Sequence, residues 1–138
     1  MKKYLLDTNI CIHFLKGEYN LKNKILEVGF ENCFVSEITI LELLYGVENS
    51  AETKKLHNRQ VFYQFYNFVN KNIIPINTCF QIYATEKVRL KQIGQLIAEF
   101  DMLIGCSAIA KDLIVATRND KHFEKLLNVK IENWIDKK

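Results

Sequence analysis

"KKYLLDTNICIHFLKG", residues 2–17, sets Tyr4, Leu5 and Leu6 directly against Asp7, Thr8 and Asn9 before turning apolar again at Ile10. The first trio reads as a short buried strand, and the stretch from Ile10 as a helix. A carboxylate at that junction has two readings. Asp, Thr and Asn are good helix caps, because their side-chain oxygens satisfy the free amides of a first turn. The other reading is that the strand ends in an active site.

The same strand-then-helix pattern recurs along the chain. Short β-rich apolar runs occupy residues 3–6, 33–35, 73–76 and 113–116. Helical patterns fill the intervals at 10–15, 21–28, 39–47, 53–70, 79–93 and 102–110. In the fourth of these, Phe62, Phe65, Tyr66 and Val69 mark one helical face. In the fifth, Asn77 or Thr78 is the expected cap and Gly94 the stop. The sixth is apolar nearly all round, so it is expected to be buried. Strands separated by helices of this size predict an α/β fold: three α/β/α layers around a mostly parallel central sheet of four to five strands. No linker, repeat or low-complexity tract divides the chain, so residues 1–138 read as a single domain. Ligands of such sheets bind beyond the carboxyl ends of the strands. Asp7 lies just past the first run, and Arg118, Asn119 and Asp120 lie just past the fourth.

Composition narrows the function classes. A chain of 138 residues is long enough to bury roughly 68% of its unfolded surface. Nineteen Lys and Arg against sixteen Asp and Glu leave +3, with a pI near 8.6. That permits a nucleic-acid partner without arguing for one, because a true footprint needs clustered charge. The first apolar run is too short for a signal peptide and is interrupted by Asp7. No stretch has the length of a membrane span, so a cytoplasmic protein with no membrane partner is expected. Cys11, Cys33, Cys79 and Cys106 stand singly among apolar neighbours without a C-x-x-C pair, which reads as buried thiols rather than zinc or disulfides.

Acidic or amide residues sit at the polar edges of the apolar elements: Asp7, Glu42, Asp101 and the pair Asn119-Asp120. Each has a structural reading. Asp7 and Asp101 can cap helices, and Thr39-Ile40-Leu41-Glu42 matches a capping box in which Glu42 reaches back to the cap amide. Asn119-Asp120 can be turn residues. Glu42 strains this account, since it is flanked by Ile38, Ile40, Leu41, Leu43 and Leu44 and its helix is expected to be buried around it. An unpaired buried charge costs several kcal/mol. If Asp7 and Asp101 converge on Glu42 the problem deepens, because two carboxylates about 4 Å apart repel by roughly 4 kcal/mol at an effective dielectric near 20. A divalent cation removes that repulsion, and oxygen ligands without His or Cys favour Mg²⁺ or Mn²⁺.

The segments "LLDTNICIHFLKG", "VSEITILELLYGVE" and "FDMLIGCSAIAKDLIVATRNDKHFEKL" and the ending "VKIENW" together resemble PIN-domain ribonucleases. Within that superfamily they resemble the VapC-type toxins of type II toxin–antitoxin pairs. The likeness runs from residue 3 to residue 134 with the motifs in the family's order. It implies that Asp7, Glu42 and Asp101 are the three catalytic, metal-holding acids, with Thr8 and Asn9 supporting the first. The fourth position follows a Thr in the family. Counted from Thr117, a further supporting residue, it is Asn119, with Asp120 beside it as the alternative. The chain departs from the family at residues 95–100, where relatives often carry a Pro- and Gly-rich loop and Glu99 adds a charge instead.

The resemblance implies Mg²⁺-dependent hydrolysis of RNA, with Mn²⁺ as an alternative ion, a cognate VapB-type antitoxin as partner, and transfer RNA, at its anticodon loop, as the first substrate to test. Lys16, Arg89, Lys91, Arg118 and Lys121 are candidate contacts for the RNA backbone. His13, His57 and His122 show no regular relation to the acids. Five aromatics within residues 61–69 exceed what one helical face buries, so either the domain itself packs this helix on two sides, or it forms an antitoxin groove or a homodimer contact. Two other classes compete. A haloacid-dehalogenase-type phosphatase also begins with an Asp after its first strand, but it needs a second Asp where this chain has Asn9. An RNA-binding module that has lost catalysis would tolerate the amide at Asn119.

Overall fold

In the computed structural model, which describes residues 1–136, the first apolar run is strand β1 (Tyr4–Leu6), with all three residues buried. Tyr4 and Leu6 enter one hydrophobic core and Leu5 the other, as the alternation of side chains along a strand requires. The chain continues through α1 (Thr8–Leu15), α2 (Leu21–Val28), β2 (Cys33–Ser36), α3 (Glu37–Glu48), α4 (Glu52–Val69) and β3 (Ile73–Ile74). It ends with α5 (Phe80–Gln92), α6 (Glu99–Lys111), β4 (Ile114–Thr117) and β5 (Lys130–Asn133). All strand pairs are parallel, in the order β3-β2-β1-β4-β5. Residues of α1, α2 and α4 fill the core on one side of the sheet, and those of α5 and α6 fill the core on the other. This is the expected three-layer α/β/α arrangement.

β5 escapes the apolar-run reading. Its sequence, Lys-Ile-Glu-Asn, has no buried residue, because an edge strand is covered only in part and carries a weaker apolar signal. From β1 the strand order runs outward through β2 and β3, then returns to β4 on the other side. The carboxyl ends of β1 and β4 therefore flank the switch point, where a crevice forms. Asp7 N–H donates to Ala116 O at 2.9 Å, which fixes the two strand ends side by side.

Three of the caps expected from the sequence do not form. α3 begins at Glu37 with Ser36 as its N-cap, the hydroxyl accepting from Ile38 N–H at 3.0 Å. Thr39 is thus a buried interior residue, and the Thr39–Glu42 capping box does not form. α6 begins at Glu99 behind Ala98, so Asp101 lies inside the first turn and is not the cap. A 3₁₀ turn over Ile76–Cys79 absorbs Asn77 and Thr78 before α5. Gly94, at φ +68°, ends that helix as expected, its N–H donating to Lys91 O at 3.1 Å.

α3 is also more open than its apolar sequence implies. Leu41 is 52% exposed and Tyr45 67%, so Glu42 has apolar but half-solvated neighbours. α6, by contrast, buries Met102, Ile104, Gly105, Cys106, Ser107 and Ala108, as expected. In α4, Phe62 and Phe65 are buried while Tyr63 and Phe68 stay exposed, and Phe68 stacks on Phe30 with ring centroids 3.9 Å apart. All four cysteines are buried free thiols. No helix among the described residues is long and apolar enough to cross a membrane.

Candidate active site

At the switch point, side chains arrive from four elements. Asp7 follows β1 and is 4% exposed. It does cap α1, its Oδ1 accepting from Thr8 N–H at 2.8 Å. Its other oxygen, Oδ2, accepts from the Thr117 hydroxyl at 2.9 Å, reaching across from the end of β4. Both contacts favour the ionised form, yet burial outweighs them. With the negative charges of Asp101 and Glu42 adding to it, burial lifts the Asp7 carboxyl from the ordinary 3.8 to about 6.

Glu42 projects from the middle of α3 toward the start of α1. The Thr8 hydroxyl donates to its Oε1 at 2.7 Å and stands 2.9 Å from the Thr39 hydroxyl. A hydroxyl has one proton, so with Thr8 committed to Glu42, Thr39 is the donor to Thr8. This Thr39–Thr8–Glu42 chain aims the carboxylate. Burial pushes the Glu42 carboxyl up, the Thr8 hydrogen bond pulls it down, and the Asp101 charge pushes it up again. Asp101, in the first turn of α6, is also raised by burial, an effect opposed by His122. His122 Nδ1 stands 3.1 Å from Asp101 Oδ2. Three carboxyls from three separate elements, each held above its ordinary range, therefore act on one another.

The PIN domain family profile matches residues 4–127. The chain belongs to the PIN domain family. Among its PIN relatives, ribonuclease VapC2 of Rickettsia felis is 33% identical over 95% of this chain and 97% of its own. A tRNA(fMet)-specific endonuclease VapC of Salmonella typhimurium is 27% identical over 97% of this chain and 99% of its own. The DNA-bound VapBC structure from Salmonella typhimurium superposes with a TM-score of 0.86 at 26% identity, covering 97% of this chain and 99% of that one. The recognition made from the sequence, a PIN domain of the VapC type, agrees with all three.

Asp7, Glu42 and Asp101, the acids expected from the sequence, lie near enough to one another for the Asp101 and Glu42 charges to raise the Asp7 carboxyl. PIN domains are generally divalent-metal-dependent nucleases. The donor set suits a hard cation, being all oxygen and mutually repulsive. Among the described residues no three acid, His or Cys side chains are close enough to enclose an ion by themselves.

The remaining expected residues divide. Thr8 and Thr117 support the acids directly, whereas the Asn9 side chain is exposed. Asn119 is held by its backbone, its N–H donating to Thr117 Oγ1 at 2.9 Å. Asp120 Oδ1 accepts from Asn133 Nδ2 at 3.2 Å, on the side of β5. Lys16 lines a cleft of about 510 Å³ together with Glu42. Arg118, Asn119, Lys121 and His122 line another of about 350 Å³. Arg89 is engaged within the fold, since it donates twice to buried Glu86, at 2.7 and 2.9 Å, and to Lys125 O at 2.7 Å. Arg118 is tied to Tyr19 and Asp136, and Lys91 is exposed in the last turn of α5. Glu99 pairs with Tyr83 and Lys87 on α5. Two residues of the site lie outside the sequence reading. Thr39 hides behind its false capping-box match, and His122 is, contrary to expectation, in contact with one of the acids.

Proposed function

We propose that this chain is the toxin of a toxin–antitoxin pair and a Mg²⁺- or Mn²⁺-dependent endoribonuclease. The observation that carries this reading is Asp7: a carboxylate almost out of solvent, raised to about 6 by burial and by the facing charges of Asp101 and Glu42. An arrangement that costs stability unless a cation enters is a signature of function rather than of folding.

Asp7, Glu42 and Asp101 would hold the ion, directly or through waters. Mg²⁺ or Mn²⁺ bound there supplies Lewis-acid chemistry, neutralising phosphate charge and acidifying a water. The chain's own groups do the rest. Thr117 and the Thr8 amide keep Asp7 oriented and favour its ionised form, while Thr8, backed by Thr39, orients Glu42. Asn119 is our choice for the fourth position because Asp120 already accepts from Asn133. As a neutral amide it orients a water without adding charge. Attack in line on the phosphorus leaves a 5′-phosphate and a 3′-hydroxyl. Lys16 and Lys121, exposed at the clefts beside Glu42 and Asn119, are the cations best placed to grip the backbone.

Transfer RNA is the substrate class we favour, in line with the name of the Salmonella relative. A VapB-type antitoxin is the expected partner, since the similar solved structure is a VapBC assembly. The exposed aromatics of α4 are the surface we assign to that antitoxin or to a second copy in a homodimer, and the cytoplasm is the expected compartment. The deciding experiment incubates initiator transfer RNA and total RNA with the wild type and with Asp7→Ala, with Mg²⁺ or with EDTA. Cleavage is expected only for the wild type with metal. Wild-type cleavage that persists in EDTA, or no cleavage under any condition, overturns the reading.

A further inference from the structure

The turn after β4 touches two of the acids at once. At its start Thr117 Oγ1 donates to Asp7 Oδ2 at 2.9 Å and accepts from Asn119 N–H at 2.9 Å. At its end His122 N–H donates to Asn119 O at 3.0 Å, and the His122 ring reaches Asp101 Oδ2 at 3.1 Å. Asp7 and Asp101 lie on separate elements, β1–α1 and α6, and this six-residue turn is a hydrogen-bonded bridge from one to the other.

We propose that His122 is a positioning residue of the metal site: by holding Oδ2 of Asp101 it fixes the carboxylate's rotation and turns Oδ1 toward Asp7 and Glu42. This rests on the metal-dependent reading above. The chemistry is that of an outer partner orienting a metal-holding carboxylate. Asp101 needs such a partner, because a first-turn helix side chain with two free torsions otherwise samples solvent-facing rotamers. The contact fixes orientation without closing the site, since it uses one carboxylate oxygen and the ring itself remains half exposed. Because the same turn carries Asn119, the bridge also sets Asn119 relative to Asp101.

The test measures Mn²⁺ binding to the full-length protein from the electron paramagnetic resonance signal of free Mn²⁺, and separately kcat and KM for a transfer-RNA substrate. It compares the wild type with His122→Ala and His122→Asn. The Asn variant keeps an N–H donor near the position of Nδ1. His122→Ala is expected to weaken Mn²⁺ binding about 10-fold or more and to lower kcat with little change in KM. His122→Asn is expected to recover most of both. Far-UV circular dichroism and thermal unfolding confirm that each variant is folded. If His122→Ala fails to fold, the Asn variant alone decides, by binding Mn²⁺ within a few-fold of the wild type or not. Unchanged Mn²⁺ affinity in His122→Ala, or no rescue in His122→Asn, overturns the inference and leaves the nuclease reading intact. No Mn²⁺ binding by the wild type overturns both.

Discussion

Asp7→Asn is expected to abolish cleavage while making the metal-free protein more stable at neutral and alkaline pH. Burial, with the Asp101 and Glu42 charges, raises the Asp7 carboxyl from 3.8 to about 6. That difference corresponds to about 3 kcal/mol at about 1.4 kcal/mol per pH unit. The sign follows from linkage. Between about pH 4 and pH 6 the folded protein keeps a proton that the unfolded chain has released. Stability therefore falls as pH rises through that window, and the full deficit persists above it. An amide carries no such penalty. It does misplace one hydrogen bond, because Asp7 now accepts from both Thr8 N–H and Thr117 O–H, and an Asn side chain has only one oxygen. That loss costs about 1 kcal/mol. The net gain at pH 8 is about 2 kcal/mol, or about 5 °C in Tm for a domain of this size. At pH 4 only the lost hydrogen bond remains, so the variant is equal to or slightly less stable than the wild type. Thermal unfolding in EDTA at both pH values measures this. Adding Mn²⁺ should narrow the gap at pH 8 by stabilising the wild type alone. A variant no more stable than the wild type at pH 8, or a difference that is the same at both pH values, refutes the electrostatic account of the site.

Two further outcomes are expected. Thr117→Val removes the hydroxyl that favours ionised Asp7, so the acid limb of the pH–rate profile should move to higher pH; an unmoved limb would show that Asp7 ionisation does not set that limb. Gly105→Ala places a Cβ 2.3 Å from Leu126 Cδ1 and 3.2 Å from Phe123 Cδ1, both in the core. The overpacking costs about 1–3 kcal/mol, partly offset by about 1 kcal/mol of helix propensity, so the urea midpoint should fall; a rise would mean that the α6 core has unexpected slack.

Much of the site was legible along the chain. Asp7 announces itself by interrupting an apolar run at a strand's end, and Thr117 and Asn119 repeat the pattern one strand over. Glu42 stands out as a charge in an apolar helix, although that helix proves half open through Leu41 and Tyr45. The misread features share one cause. Capping rules look at neighbours within four residues, so Thr39 and Glu42 matched a local motif. Their real partner, Thr8, is more than thirty residues away in sequence. β5 was missed because a partly covered edge strand leaves little apolar trace. His122 was missed for the same reason as Thr39. Its distance from Asp101 depends on how the turn after β4 packs beside α6, and spacing in sequence carries no record of that.

By itself the sequence determined the alternation of strands and helices, the parallel sheet covered on both faces, the four buried thiols, and the acids set at or among the apolar elements. These follow from side-chain hydrophobicity and backbone period, which act over a few residues. The tertiary structure alone decided which polar groups meet. It put Thr117 on Asp7, turned Thr8 from its own helix to Glu42, committed Arg89 to Glu86, and set His122 against Asp101. Hydrogen bonds and charge interactions act over a few ångströms of space, and only the folded chain sets those distances.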